Sequence, residues 1–133
     1  MPRNTRVEIF DRLPRPVIAV ANDFADGHTI PPQFLRAPFL KSAKAHLRRG
    51  GMFLLNSTVE DDEDRTPDTI ARKLKTIWRQ VRLLDSDGWV DRNAVICAGA
   101  VRNLAPPLLR LRPARGAKKL ERHIAALEFR KLR

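Results

Sequence analysis

Short apolar runs separated by polar stretches predict four strands. The apolar runs lie at residues 17–21, 52–55, 81–84 and 93–98. The first two are continuous enough for strands whose two faces are both covered, as in the interior of a parallel sheet. The third and fourth runs flank residues 85–88, Asp-Ser-Asp-Gly, which favour a tight turn. We therefore predict that the last two strands pair as an antiparallel hairpin, with Trp89 in their connection.

Helical spacing predicts three helices between and after these strands. The first begins near Pro38 and ends at Gly50 and Gly51, and the second begins at Thr66, with that hydroxyl as its cap and Pro67 in its first turn. Residues 118–132 predict a third, basic helix after the prolines at 106, 107 and 113. The predicted inward-facing side chains are Phe39, Leu40, Ala43 and Leu47 in the first helix, Ile70, Leu74, Ile77 and Trp78 in the second, and Leu120, Ile124, Leu127 and either Phe129 or Leu132 in the third.

Two polar stretches predict loops. Residues 25–32 are rich in turn formers and end in two prolines. Residues 60–64 are five consecutive acids, which repel one another and favour an exposed loop. A calcium site needs alternating ligands and a glycine at its bend, so this run predicts no metal site.

The order of elements predicts the fold class. Strand, helix, strand, helix, strand and hairpin strand is the order of the C-terminal half of a Rossmann-like doubly wound sheet that closes with an antiparallel pair. We expect an α/β protein with a partial domain at residues 1–101 and a basic extension with a helix at 102–133. Because such a half sheet leaves an open edge near residues 17–21, we expect a second copy or another chain to cover that edge.

Basic residues are concentrated in the C-terminal quarter. The whole chain has a net charge of +11, and residues 102–133 contain ten basic residues and two acidic ones, hence +8. This stretch predicts either a nucleic-acid or acidic-partner surface or an ordinary solvated surface. The candidate nucleic-acid contacts are Arg110, Arg112, Arg115, Lys118, Lys119 and Arg122.

The remaining composition narrows the chemistry. The single cysteine, Cys97, lies in an apolar run and is expected to be a buried thiol without a catalytic role. The three histidines, at 28, 46 and 123, have no ligand spacing, so no metal is expected. No run approaches the length of a membrane span, and we expect a cytoplasmic protein without membrane contact.

A family resemblance rests on the stretch from residue 17 to residue 56. Residues 17–24 (VIAVANDF), 27–31 (GHTIP) and 47–56 (LRRGGMFLLN) resemble the fourth to fifth strands of spermidine-synthase-like enzymes, with their apolar strand, "dG..iP" loop and "L-x-x-G-G" strand. Residues 81–84 and 92–98 resemble the closing strands of the same family. The resemblance implies a class I transferase that uses S-adenosylmethionine or its decarboxylated form.

The same resemblance implies a site at the end of the first strand. It assigns catalysis to Asp23, which would deprotonate an attacking amine, and places Asn22, Asp23 and Phe24 beside the cofactor. The sequence departs from the family's acid-rich "D-x-x-D-P" end, and none of its six glycines forms the family's cofactor turn. We therefore expect a truncated or degenerate methyl- or aminopropyl-transferase domain that is inactive alone and binds no cofactor as an isolated chain.

Residues 14–32 carry a second resemblance. They resemble the N-terminal arm of the cupin domains in AraC-type regulators, but Gln33 stands where that family's first histidine would be. The alternatives to a transferase fragment are accordingly a small basic nucleic-acid-binding protein and a fragment derived from a regulator.

Overall fold

A five-stranded mixed sheet with helices forms the core of the protein. The computed structural model describes residues 17–22, 30–109 and 111–133, and of residues 17–22 it describes the backbone alone. The elements in chain order are β1 (Val17–Asn22), a 3-10 turn (Pro32–Leu35), α1 (Ala37–His46), β2 (Leu47–Val59), α2 (Thr66–Lys75), β3 (Val81–Asp85), β4 (Arg92–Gly99), α3 (Ala117–Ala126) and β5 (Glu128–Arg130).

The strand order in the sheet is β1-β2-β4-β3-β5. Strand β1 pairs parallel to β2, whereas the β2–β4, β4–β3 and β3–β5 pairs are antiparallel. The predicted hairpin is confirmed, since Leu83 pairs with Ile96 and Leu84 with Val95. It follows from the pairings that β1, β2 and β3 point the same way, with the reversed strand β4 inserted between β2 and β3.

The hydrophobic core lies on one face of the sheet. Phe53 and Leu55 alternate with half-buried neighbours along β2, and they pack against buried side chains of both α1 and α2. Trp78 follows α2 and stacks on Phe53, with 5.1 Å between the ring centroids. Of the predicted apolar positions of α2, Ile70 and Leu74 are buried in the helix, whereas Ile77 and Trp78 follow its end and Ile77 is only partly buried.

The boundary between α1 and β2 differs from the prediction. The helix ends at His46, and Leu47 begins β2 and pairs with Val17 of β1. Gly50 and Gly51 lie inside β2, where Gly50 has a φ of 82° and the register between β1 and β2 shifts. The glycines therefore accommodate an irregularity in a 13-residue strand instead of ending the helix.

The predicted cap of α2 is also different. Arg65 occupies the capping position without a side-chain cap, and the carboxylate of Asp64 accepts the N–H of Thr66 at 2.9 Å. Pro67 lies in the first turn, as predicted.

The third predicted helix is shorter than its pattern. It ends at Ala126, and Glu128–Arg130 form β5 on the edge of the sheet beside β3. Phe129 pairs with Leu84, and the guanidinium of Arg82 lies 3.8 Å from the centre of its ring. Pairing with β3 and this cation–π contact stabilise the extended backbone where local spacing alone favours a helix.

Candidate functional site

Several strands begin or end along the same edge of the sheet. The carboxyl ends of β1, β2 and β3 lie at this edge because the three strands point the same way, and the reversed strand β4 begins there. Val59 at the end of β2 accordingly pairs with Arg92 at the start of β4. In open α/β sheets ligands bind outside the carboxyl ends of the strands. This edge is therefore the candidate site.

The structure describes only one of the three residues that the family resemblance assigned to the site, and that residue lies at this edge. Asn22 is the last residue of β1 and pairs with Leu55 of β2. Asp23 and Phe24 lie outside the described residues, as does the loop that follows them to residue 29. The catalytic assignment of Asp23 and the cofactor assignments of Asn22, Asp23 and Phe24 stay predictions.

An open cleft of about 400 Å³ lies at this edge beyond β2. Its polar lining includes Glu60, Asp64, Asp91 and Asn93. The cleft wall is well ordered by hydrogen bonds, since the carboxylate of Asp64 accepts the N–H of Glu60 at 3.0 Å. Burial raises the pKa of Asp64, but hydrogen bonds from Thr66 and Glu60 lower it more, so the net pKa lies below its usual value. The cleft therefore keeps negative charge at neutral pH.

Beside this cleft lies a buried cluster of ion pairs centred on Asp85. Its side chain is fully buried and accepts hydrogen bonds from Arg92 Nε at 2.7 Å and Arg130 Nε at 2.8 Å. A second nitrogen of Arg92 donates to it at 3.1 Å, and the backbone N–H of Ser86 donates at 2.8 Å. Burial raises the pKa of Asp85, but the bonds from Arg92 and Arg130 outweigh it, so the pKa is held below its usual value. Asp85 is therefore charged at neutral pH and is unsuited to act as a general base there.

The same cluster joins the end of the chain to α2. Both nitrogens of the Arg130 fork contact the carboxylate of Asp68, at 2.9 and 3.0 Å, and the backbone N–H of Arg133 donates to the same carboxylate at 2.7 Å. Arg133 also pairs with Asp87, and its carbonyl oxygen accepts a bond from Arg72. The pKa of Arg130 is raised chiefly by its bond to Asp68. These bonds fix β5 and the last residues onto the sheet and α2.

The acidic run at residues 60–64 contributes to this cluster. Asp62 accepts the N–H of Gly88 at 2.9 Å and a bond from Arg92 at 2.8 Å, although half of its side chain is exposed. Asp61 accepts the N–H groups of Glu63 and Asp64 within the loop. The loop is exposed as predicted, but hydrogen bonds from other elements and from its own backbone order it.

Sequence reasoning did not find this cluster. Arg130 and Arg133 belong to the basic stretch at residues 102–133, and Asp68 lies in the first turn of α2, so neither pattern predicts a contact between them. The bonds of Arg130 and Arg133 to the carboxylates join residues 45 to 65 positions apart, so no local spacing marks them. The only signal in the sequence was the presence of acids in turns beside strands, which is too common to identify a partner.

The described candidate nucleic-acid residues lie on or before α3. Arg115, Lys118, Lys119 and Arg122 are exposed. Arg112 forms an exposed ion pair with Glu121 at 3.0 Å. Arg110 lies outside the described residues.

Other chemistries find little support in the part of the chain that the structure describes. No three of its histidine, cysteine, aspartate and glutamate side chains form a group that could hold a metal ion. Burial raises the pKa of the Cys97 thiol to about 11, which suits a structural role. Within the same residues no helix is long and apolar enough to cross a membrane.

The described residues do not fit an S-adenosylmethionine cradle. Such a cradle needs a glycine-rich turn that leads from a strand into a helix. The turn that joins β2 to α2, residues 60–65, contains no glycine. Gly88 lies in the β3–β4 turn and Gly116 directly precedes α3. We therefore assign no reaction step to the cofactor.

Comparison with known proteins gives a likeness of fold. No family model matches the chain, and no curated protein matches it in sequence. Among solved structures, it is similar to a probable spermidine synthase from Corynebacterium glutamicum ATCC 13032, with a TM-score of 0.65 and 11% sequence identity. The superposition covers 94% of this chain and 46% of that chain. At this identity the likeness shows a similar fold, and the chain spans less than half of its neighbour.

Proposed function

We propose that this chain is the C-terminal half of a Rossmann-like, S-adenosylmethionine-dependent transferase domain of the spermidine-synthase-like kind, inactive alone and completed by another chain. The observation that carries the proposal is the uneven coverage of the likeness, 94% of this chain against 46% of its neighbour. The order β1-β2-β4-β3, with one reversed strand, agrees with a doubly wound sheet that closes with an antiparallel pair.

The two faces of the sheet support the need for a completing chain. Helices α1 and α2 cover one face, where Phe53 and Ile96 are buried. On the opposite face Met52, Leu54 and Val95 are half-buried. Doubly wound sheets bear helices on both faces, so this second face and the outer edge of β1 are the surfaces that the missing half would cover. In this proposal Asn22, Asp23 and Phe24 lie where the two halves meet.

Calorimetry with S-adenosylmethionine and with its decarboxylated form tests the proposal. A ligand of this size needs most of its surface enclosed, and the half domain offers one wall. We expect dissociation constants weaker than about 1 mM, which corresponds to roughly 4 kcal/mol of binding free energy. Micromolar binding by the isolated chain would contradict the proposal and would make Asp23→Ala the first variant to test for loss of transfer.

Sedimentation tests whether the second face is an interface. We expect the chain to associate with itself or with the completing chain through this face, since apolar faces and open edges promote association. Leu54→Lys should abolish the association, whereas Thr69→Lys, at an exposed position of α2, should leave it intact. A monomer at all concentrations, with no partner recovered from cells, would refute this part of the proposal.

A second candidate function is nucleic-acid binding through α3. The observation that favours it is the exposed basic group of Lys118, Lys119 and Arg122, next to Arg115. Phosphate contacts make binding fall steeply with salt. Replacing Lys118, Lys119 and Arg122 by Gln should weaken binding and flatten its salt dependence. Replacing Lys41, Lys73 and Lys75 by Gln removes the same charge from exposed positions elsewhere, and equal losses in the two triple variants would show a nonspecific charge effect.

A further inference from the structure

A second cleft lies between the β3–β4 turn and helix α3, and it adjoins the cleft beyond β2, with which it shares Asp91, Arg92 and Asn93. It encloses about 400 Å³, within the range of small-molecule sites. Its apolar wall combines Trp89 and Val90 of the turn with Leu120, Ile124 and Leu127 from α3 and the residue that follows it. Helix α3 has no buried residue, and Leu120 remains 38% exposed. The described chain therefore does not fill the apolar face of this helix.

An imidazole nitrogen in this cleft has no hydrogen-bond partner. His123 lines the cleft, and its Nε2 is buried without a partner among the described residues. It is the one described side-chain nitrogen or oxygen with this property. Buried polar atoms are nearly always hydrogen-bonded, so an exception points to a group that the described residues do not supply.

Trp89 covers the imidazole of His123. The two ring centroids lie 4.4 Å apart with 82° between the ring planes, while 40% of Trp89 is exposed. Both rings line the cleft, so a ligand that contacts Trp89 also lies close to His123.

We propose that this cleft binds a small aromatic molecule that carries a hydroxyl group. The aromatic ring packs between Trp89 and the apolar face of α3, and the hydroxyl forms a hydrogen bond with Nε2 of His123. A hydroxyl both donates and accepts, so it satisfies Nε2 in either tautomer of the neutral imidazole. The aromatic ring of the ligand covers the apolar side chains of Leu120 and Ile124, which the described residues leave partly exposed. This inference is independent of the transferase proposal, because it involves neither Asp23 nor the missing half.

A titration with phenol and with benzene tests the proposal, because the two probes differ only in the hydroxyl. We would follow the imidazole nitrogens of the histidines and the indole N–H groups of the tryptophans by NMR in the full chain. Phenol should bind saturably, with a dissociation constant on the order of 1 to 10 mM for a probe of this size. The His123 and Trp89 signals should shift, whereas His46, whose Nδ1 is bonded to the carbonyl of Ser42 at 2.7 Å, should not.

The hydroxyl contact is tested by His123→Phe, which keeps an aromatic ring in the cleft. Wild-type protein should bind phenol at least about fivefold more tightly than benzene, a difference typical of one hydrogen bond. The variant should bind both probes equally, and its spectrum reports whether it is folded. Equal binding of the two probes by the wild type, or no saturable shift of His123 with phenol, would overturn the proposal whatever the variant does.

Discussion

The substitution Arg130→Met tests whether the buried ion pairs hold the end of the chain onto the sheet. Arg130 is 7% exposed in its side chain, and two of its three acidic partners, Asp68 and Asp85, have fully buried side chains. Removal of Arg130 leaves Asp68 with the single N–H of Arg133 among its described bonds, whereas Asp85 keeps Arg92. A methionine has a similar length but cannot neutralise either carboxylate.

The expected loss of stability is large because the substitution leaves a buried carboxylate without a compensating charge. Breaking a buried ion pair from one side costs about 3 to 5 kcal/mol, a substantial part of the roughly 5 to 15 kcal/mol that stabilises a domain. With a denaturant slope of about 2 kcal/mol per M, the urea midpoint should fall by about 1.5 to 2.5 M. Fluorescence of Trp78, buried against Phe53, reports the transition.

Arg112→Met is the matched control. Arg112 also forms one described ion pair near the end of the chain, but its side chain is 63% exposed. Exposed pairs contribute about 0 to 1 kcal/mol, so its midpoint should fall by at most about 0.5 M. A double-mutant cycle of Arg130→Met with Asp68→Asn should give a coupling of more than about 1 kcal/mol. The reasoning is refuted if Arg130→Met and Arg112→Met have the same midpoint.

Three further predictions follow from the described contacts. Hydrogen bonds and ion pairs hold the pKa values of Asp68 and Asp85 below the usual value despite burial, so the contribution of these carboxylates to stability is complete above about pH 4 and is lost as the pH falls through the lowered values. Urea midpoints measured against pH should therefore drop only in that acid range. A drop of similar size between about pH 7 and pH 5 would contradict the assignment. Burial and the pKa of about 11 predict that Cys97 reacts with a thiol reagent at pH near 8 only after urea unfolding, so rapid stoichiometric reaction of the native protein would show that the thiol is accessible. Gly99→Ala places a Cβ 2.6 Å from the carbonyl oxygen of Gly51 at a φ of 103° and should lower the free energy of unfolding by about 1 to 3 kcal/mol. The loss should be smaller in Gly88→Ala, where φ is also positive but the space is open. Equal urea midpoints for the two variants would show that the close contact does not matter.

The cofactor-binding residues of the candidate site, Asn22, Asp23 and Phe24, were predicted only through the family resemblance, and their roles remain predictions. The cleft beyond β2 could have been expected at the carboxyl ends of the strands once their directions were known. The ion-pair cluster could not, because the bonds that Arg130 makes to Asp68 and Asp85 depend on the sheet bringing α2, β3 and β5 together. Asp85, for example, meets Arg130 across 45 positions of the chain.

Local sequence patterns determined the elements in which the spacing of the apolar residues matches the burial that the structure has. The apolar run before Asn22, the helical spacing of Ile70 and Leu74, and the turn between β3 and β4 all specify structure within a few residues, and the structure has those elements. The burial of Cys97 followed in the same way from its apolar neighbours.

Tertiary structure decided the elements whose local preference competes with a neighbour in space. Gly50 and Gly51 are strong local breakers, yet β2 continues through them because β1 pairs with β2 at Leu47 before the glycines and at Met52 after them. The spacing after Ala126 favours a longer helix, yet Phe129 and Arg130 become a strand because the free edge of β3 and two buried carboxylates stabilise the extended chain there. Strand pairing and buried ion pairs join residues far apart in sequence. Leaving a buried carboxylate unpaired costs several kcal/mol, more than the few tenths of a kcal/mol per residue by which ordinary helix propensities differ.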